Sequence, residues 1–327
     1  MSQPITQAPS AVVMIRPHQF VPNPATVVDN AFQSLPSGTR EEVSRAAYEE
    51  VSVMAEQLRA AGVTVHVFED ETHTAPDSVF PNNWLSTHNS GQVAVFPMHS
   101  PSRRSERRPD IIDRLKAGYH VPVVYDYSGL EHDGVFLEGT GSMVLDHLQR
   151  VAYVCRSNRV SEPALQRFCT DFDYHAFVFD AFDPSGTRIY HTNVLMAIAT
   201  EYALIGLSAI ADAGQRRRVR GHIEATGRRV IDLTMQQLTE FAGNAIELQG
   251  RDGRILVMSR RAVATLTEDQ RAIIESSSQI VPVDIGTIEH AGGSARCMLA
   301  GIHLGPRTGG DIDEVQDVPN PGLVRPS

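Results

Sequence analysis

Five short polar motifs recur along this chain at nearly one spacing, and that spacing restricts the fold more than any other feature. The motifs are "FPNNWL", "LEGTGSMVL", "YHTNVLMAI", "AGNAIEL" and "ARCMLAG". With Asn83, Glu138, His191, Asn244 and Cys297 as markers, the steps are 55, 53, 53 and 53 residues. A period of this length signals supersecondary units that stack or close on themselves. Five units can close into a ring, and equivalent positions then meet near its axis.

The segments between motifs repeat too. "TREEVSRAAYEEVSVMAEQLRAAG" opens with a capping box, Thr39 and Glu42, and stops at Gly62, which predicts a helix. The apolar run "VTVHVFED" follows as a strand. The same order returns in "SERRPDIIDRLKAG" and "VPVVYDY", then in "SEPALQRFCTDF" and "HAFVFDAF", with Ser161 as a good N-cap. It returns again in "GQRRRVRGHIEATG" and "RVIDLT", and in "TEDQRAIIESS" and "IVPVDI". The reading is an α/β ring of five helix-then-strand units in one domain over 11–315. The ends, 1–10 and 316–327, read as loose tails.

Composition excludes several function classes. A formal net charge of −10 disfavours nucleic acid and anionic membranes as partners. No apolar run approaches the roughly 18 residues of a membrane span. The runs "RRSERR" and "RRRVR" fall on expected helices and read as solvated faces. The start lacks the basic and apolar parts of a signal peptide. Three cysteines make no disulfide framework, so a reducing cytoplasm is the expected setting. No CxxC pair and no HExxH is present, so no metal is expected.

A lone cysteine is usually a small buried hydrophobe. The ring changes that for Cys297, because the period brings it toward His191, Glu138 and two asparagines. Thiol, acid/base, carboxylate and amide donors make the inventory of a covalent catalyst. Asn244 shares the period and receives no role; a turn-stabilising amide is the competing reading.

The motifs "PDSVFPNNW", "EGTGS", "YHTN" and "GGSARCM", in that order, resemble the pentein superfamily of guanidino-group-modifying enzymes. That superfamily includes arginine deiminases, dimethylarginine dimethylaminohydrolases and amidinotransferases. The resemblance spans "VVMIRP" to "CMLAGIHLG". It implies a five-bladed α/β-propeller of ββαβ-like repeats with pseudo-five-fold symmetry. It also implies a Cys297, His191 and Glu138 catalytic core, no cofactor, and a small amino-acid substrate. Homo-oligomerisation is left open.

Departures from the family pattern bear on the substrate. Asn82, Asn83 and Asn193 stand where relatives place guanidinium-binding acids, while Asp77 remains. Asparagine can pair with both the C=O and the N–H of a neutral urea. The resemblance therefore points to the citrulline-hydrolysing branch, with ornithine, ammonia and carbon dioxide as products. Asn83 and Asn193 would read the ureido group, Asn82 would line the substrate site, and Asp77 would contact the α-ammonium, with Arg16 and Arg296 as candidates for the α-carboxylate. The alternatives are an arginine-derivative hydrolase, of arginine deiminase, dimethylarginine or N-acylarginine type, and a non-catalytic amino-acid-binding pentein.

Overall fold

The computed structural model describes residues 5–307 apart from 28, 29, 31 and 73, and it turns the sequence period into five three-stranded sheets. Four are contiguous in the chain. They are β3 (Leu85–Thr87), β4 (Gln92–Val95) and β5 (Val123–Asp126); β6 (Val144–Asp146), β7 (Val151–Cys155) and β8 (His175–Phe179); β9 (Met196–Ile198), β10 (Tyr202–Ile205) and β11 (Arg229–Asp232); and β12 (Ile246–Gly250), β13 (Gly253–Ser259) and β14 (Gln279–Val283). In each, the first strand pairs antiparallel with the second, and the second pairs parallel with the third. A parallel pair needs a long crossover. The helices Pro109–Gly118, Glu162–Phe172, Ala213–Glu224 and Glu268–Glu275 supply it.

The fifth sheet is split between the chain ends. β15 (Ala300–Ile302) pairs antiparallel with β1 (Ala11–Pro17), Ala11 facing Ile302, and β1 pairs parallel with β2 (Thr64–Asp70) across the helix Arg40–Ala60. The last strand thus completes the first blade and closes the five-bladed α/β-propeller. Middle strands are mostly buried, as in the run Val12, Val13, Met14 and Ile15 of β1. The helices cover them with one face: Val43, Ala47, Val51, Met54 and Leu58 lie buried at near-helical spacing on Arg40–Ala60.

Local differences have physical causes. The Thr39–Glu42 capping box forms as expected. Ser161 sits at the N-cap, but its hydroxyl accepts the Phe136 N–H at 2.9 Å instead of capping its own helix. The second helix starts at Pro109, because Pro101–Glu106 forms a separate 3-10 turn. Within the expected N-terminal tail, residues 1–4 lie outside the described residues. Gln7, however, is buried and donates to Leu145 O at 3.0 Å and Ile198 O at 3.1 Å, which ties this stretch across two blades. The expected domain end at 315 and the tail 316–327 also lie outside the described residues. Among the described residues, no helix is long and apolar enough to cross a membrane.

Candidate active site

Each motif occupies the same place in its blade, the turn that leads the chain into the short inner strand. Asn83 ends the 3-10 turn Pro81–Asn83 before β3. Glu138 and His191 are the N-cap residues of the turns Gly139–Ser142 and Thr192–Val194, before β6 and β9. Asn244 and Cys297 lie in the turns before β12 and β15. Hydrogen bonds join these turns. Asn193 Nδ2 and Asn244 Nδ2 point at Cys297 Sγ from 3.1 and 3.2 Å. Asn244 Nδ2 also reaches Asn193 O at 3.1 Å, and Thr140 Oγ1 donates to Asn82 O at 3.1 Å. His191 Nε2 meets Glu138 Oε2 at 2.8 Å.

Two glycines make this approach feasible. A Cβ on Gly141 would fall 2.1 Å from the amide tip of Asn83 and 3.0 Å from the His191 ring. Gly292 has φ +81°, a left-handed conformation that L side chains avoid, and a Cβ there would sit 2.4 Å from the Asn30 amide. The glycines of "EGTGS" and "GGSARCM" are thus where neighbouring turns touch.

The surrounding charges interlock. Glu138 accepts from the His99 N–H at 2.9 Å and from Arg159 at 3.3 Å, besides its bond to His191. Burial alone would raise its carboxyl pKa. The Arg159 charge, the His191 hydrogen bond and Arg103 outweigh burial and hold it well below the usual carboxylate range. Burial lowers the His191 pKa, and the Glu138 contact opposes that shift. Arg103 makes a two-pronged bond to Glu106 at 2.9 and 2.8 Å and lies 3.4 Å from Asp77. Burial pushes Glu106 up to about 8 against the pull of Arg103, and it raises Asp77 as well. With the Asn83 side-chain amide oriented to satisfy its neighbours, its Oδ1 accepts from both Arg103 terminal nitrogens at 3.1 Å and its Nδ2 donates to Asn82 Oδ1 at 3.2 Å. Asn23 Nδ2 donates to Asp77 Oδ2 at 2.9 Å; Asp77 Oδ1 has no hydrogen-bond partner among the described residues.

The three cysteines differ sharply. Cys297 receives two amide N–H groups, the polarity a thiolate requires. Cys155 instead donates to Ile189 O at 3.4 Å, and burial pushes its thiol up to about 11. Burial also pushes Cys169 up to about 11.

Cys297, His191, Asp77, Asn83, Arg103 and Arg159 line one cavity with an empty volume of about 320 Å³, mouth included. Glu138 backs it through His191, and Asn193 touches the sulfur. Asn82 is fully buried beneath Asn83, with its Nδ2 unpartnered. The two arginine candidates lie elsewhere. Arg16 pairs with Glu69, donates to Ser52 Oγ at 3.2 Å and covers the Tyr48 ring at 4.6 Å. Arg296 donates to Leu299 O at 2.9 Å and lines a different cavity. Sequence reasoning missed Arg103, Arg159 and the sulfur contact of Asn244. Arg103 lies in the run "RRSERR", read as a solvated face, yet it is only 4% exposed. For Asn244, the period was itself the signal. Among the described residues, no three His, Cys, Asp or Glu side chains gather as a metal ion would need.

Known proteins of this architecture share the fold. The N-terminal domain of ArgZ, an arginine dihydrolase from the ornithine-ammonia cycle in cyanobacteria, superposes with a TM-score of 0.67 at 17% identity, over 90% of this chain and 98% of that one. AgrE, in a ternary complex with ornithine and NAD+, gives a TM-score of 0.68 at 16% identity over 89% of this chain and 39% of that one. The dimethylarginine hydrolase DDAH of Pseudomonas aeruginosa, complexed with citrulline, gives 0.60 at 13% identity over 90% and 99%. Comparison with curated protein sequences gives no match. The profile of the family described as "N,N dimethylarginine dimethylhydrolase, eukaryotic" matches residues 16–304. With nearly the whole ring inside that match, the chain belongs to the N,N dimethylarginine dimethylhydrolase family and is a cysteine-dependent hydrolase of the pentein superfamily.

Proposed function

We propose that this protein hydrolyses the terminal C–N bond of an arginine derivative through a covalent intermediate on Cys297. The observation that carries the reading is the shared pocket. A sulfur faced by two amide donors opens on the same cavity as a histidine held by a buried, ionised carboxylate. Asp77 Oδ1, unpartnered in that cavity, is an acceptor for a cationic group of the substrate. Family membership supports the guanidino class.

In this reading the Cys297 proton passes to His191, and the thiolate attacks the guanidino carbon. An S–C bond forms, and the imidazolium returns its proton to the departing amine as the C–N bond breaks. His191 then takes a proton from water, whose oxygen attacks the same carbon; the S–C bond breaks, and the imidazolium returns that proton to the sulfur to regenerate the thiol. Glu138 positions His191 through Nε2. Asn193 and Asn244 hold the sulfur, and Arg103 fixes Asn83 against the reacting group. A cytoplasmic setting suits three free thiols.

One observation favours a second reading, citrulline. Asn83 and Asn193 are neutral, and two guanidiniums already lie in the pocket, which suits a neutral ureido group. Release of ornithine would leave a carbamoyl group on sulfur. Water would free it as carbamate, which breaks down to ammonia and carbon dioxide.

The test is a side-by-side assay of methylated arginines, arginine, N-acylarginine and citrulline, with detection of released amine, ammonia, citrulline and ornithine. Intact-mass analysis of quenched reactions accompanies it. An adduct confined to Cys297 and turnover of one guanidino substrate are expected. Turnover of citrulline alone selects the second reading, and wild-type turnover by Cys297→Ala refutes both.

A further inference from the structure

Arg296 precedes Cys297 in the chain but serves the opposite end of the ring axis. It lines a cavity of about 600 Å³, mouth included, that shares no lining residue with the Cys297 pocket. Among the described residues, the Arg296 guanidinium has no carboxylate partner. Its one side-chain hydrogen bond, from NH1 to Leu299 O at 2.9 Å, leaves its other donors uncommitted. A partly buried cation without a counter-ion is costly, and burial draws the Arg296 pKa down to about 10.

The neighbouring groups are donors or are already engaged. His147 and His303 stack at 3.8 Å with their planes 27° apart. His147 Nδ1 pairs with Tyr174 Oη at 2.9 Å, which leaves Nε2 for the cavity. Burial and Arg296 keep both rings neutral; His147 retains an N–H at Nε2, while His303 hydrogen-bonds the Thr6 backbone and serves as the stacking partner of His147. Gln7 closes the end with its side-chain polar atoms used, its Oε1 accepting the His147 backbone N–H at 2.9 Å. Glu247, the carboxylate of the lining, is occupied by the Thr200 N–H at 2.8 Å and Ser278 Oγ at 2.8 Å. Among the lining groups, the Arg296 guanidinium is the one with uncommitted charged donors, beside the His147 and His303 rings.

We propose that this axial cavity is an anion site, built from Arg296, His147 and His303, that takes a small oxyanion of the size of bicarbonate or phosphate. The guanidinium supplies charge and paired donors, His147 supplies a further N–H, and His303 holds the His147 ring in place by stacking on it. The chain as a whole is acidic, with a formal net charge of −10, so attraction here is local to the cavity. The site's register against the thiol is fixed by one side chain: Asn244 Oδ1 accepts the Arg296 N–H at 2.9 Å, and its Nδ2 faces the sulfur.

The test is isothermal titration of the full chain with sodium bicarbonate and, separately, sodium phosphate, at ionic strength held constant with a bulky sulfonate. Wild type, Arg296→Gln, His303→Gln and Arg103→Gln are compared. Saturable binding of either anion is expected in wild type. Arg296→Gln should weaken it about tenfold or more, the scale of one charge-assisted contact, and His303→Gln about threefold. Arg103→Gln should leave it unchanged. Loss in Arg103→Gln with retention in Arg296→Gln would place the anion in the Cys297 pocket and overturn the proposal, as would the absence of saturable binding. Should Arg296→Gln fail to fold, crystals of the wild type grown with bromide decide: an anomalous peak beside Arg296 supports the site, and none there overturns it. No readout involves turnover, so this result is independent of the substrate assay.

Discussion

The two ends of the ring axis are built from one set of repeats and carry opposite electrostatics. At the Cys297 end, Asp77, Glu106 and Glu138 interlock with Arg103 and Arg159. At the Arg296 end, a single guanidinium stands beside His147 and His303, with His88 packed behind them. The turns make the first end: each presents a polar side chain to the axis just before the chain enters its inner strand. The inner strands line the second, with His147 and His303 beside them. An interlocked set of charges is preorganised, which is what stabilising a developing charge requires. A guanidinium with uncommitted donors is suited to receive a ligand.

The largest effect should come from the thiols. Cys297→Ala is expected to lose on the order of 10⁴-fold or more in kcat, the usual cost of removing a nucleophile. It also leaves Asn193 and Asn244 N–H groups unmet, at about 1–3 kcal/mol of stability. Cys155→Ala removes an equally buried sulfur that donates to the Ile189 carbonyl and accepts the Thr192 hydroxyl at 3.5 Å, with no side-chain amide N–H pointed at it among the described residues. It should cost about 1 kcal/mol and keep kcat within a few-fold of wild type. Steady-state kinetics and thermal unfolding of the two variants check this. Equal losses of activity would mean that the sulfur at 297 is packing and not chemistry.

The asparagines should separate next. Asn193→Asp replaces a donor 3.1 Å from the sulfur with a negatively charged oxygen, so kcat should fall by roughly 10²–10³-fold, the scale of one lost transition-state donor. Asn83→Asp places its charge against Arg103, which already holds the Asn83 carbonyl. Its kcat should stay within about tenfold, and KM should shift in favour of cationic over neutral substrates. The structure therefore divides a pair that looked equivalent in sequence: Asn193 touches the Cys297 sulfur, and Asn83 lies against Arg103. Wild-type kcat in Asn193→Asp would show that its contact with sulfur has no part in the reaction.

Much of this was legible in the residues. The period, the helix-then-strand order and the Thr39–Glu42 capping box are local signals, and each forms where expected. The meeting of Glu138, His191 and Cys297 followed from equivalence within the repeat. The contributions of distant residues were not legible. Arg103 is buried because Pro101 starts a turn that carries it to Asp77 and Glu106, and only Glu106 is near it in sequence. Its charged neighbours, Arg104, Arg107 and Arg108, made the run look solvated. Ser161 has every attribute of an N-cap, yet the Phe136 N–H arrives from another loop and takes its hydroxyl. Arg296 and Cys297 are adjacent, and a sequence does not say that two neighbours in one turn face opposite ends of an axis.

The smallest predicted effect concerns acid and the axial imidazoles. Burial holds His88 and His147 far below the ordinary histidine value, and it lowers His303 to about 3. Above about pH 6.5 these rings are neutral both folded and unfolded, so they impose no pH dependence. As the pH falls below that value, the unfolded chain takes up protons that the folded chain refuses, and stability is lost. For one ring with the shift of His303, the loss at pH 5 is about 2 kcal/mol. The total slope of the protein does not isolate this. Burial raises Glu106 to about 8 and Glu289 to about 7, and those carboxyls bind protons in the folded state first, which stabilises it over the same interval. Glu138, held well below the usual range, keeps its contribution until the pH falls through that low value, beneath the interval. The informative quantity is a difference: the loss of stability between pH 7 and pH 5 for wild type minus that for His303→Gln, measured by denaturant unfolding. His303→Gln should lose about 2 kcal/mol less than wild type across that interval. Parallel curves would mean that His303 takes up its proton while folded, and the far end of the axis would then be open to water in a way the stacked, buried rings argue against.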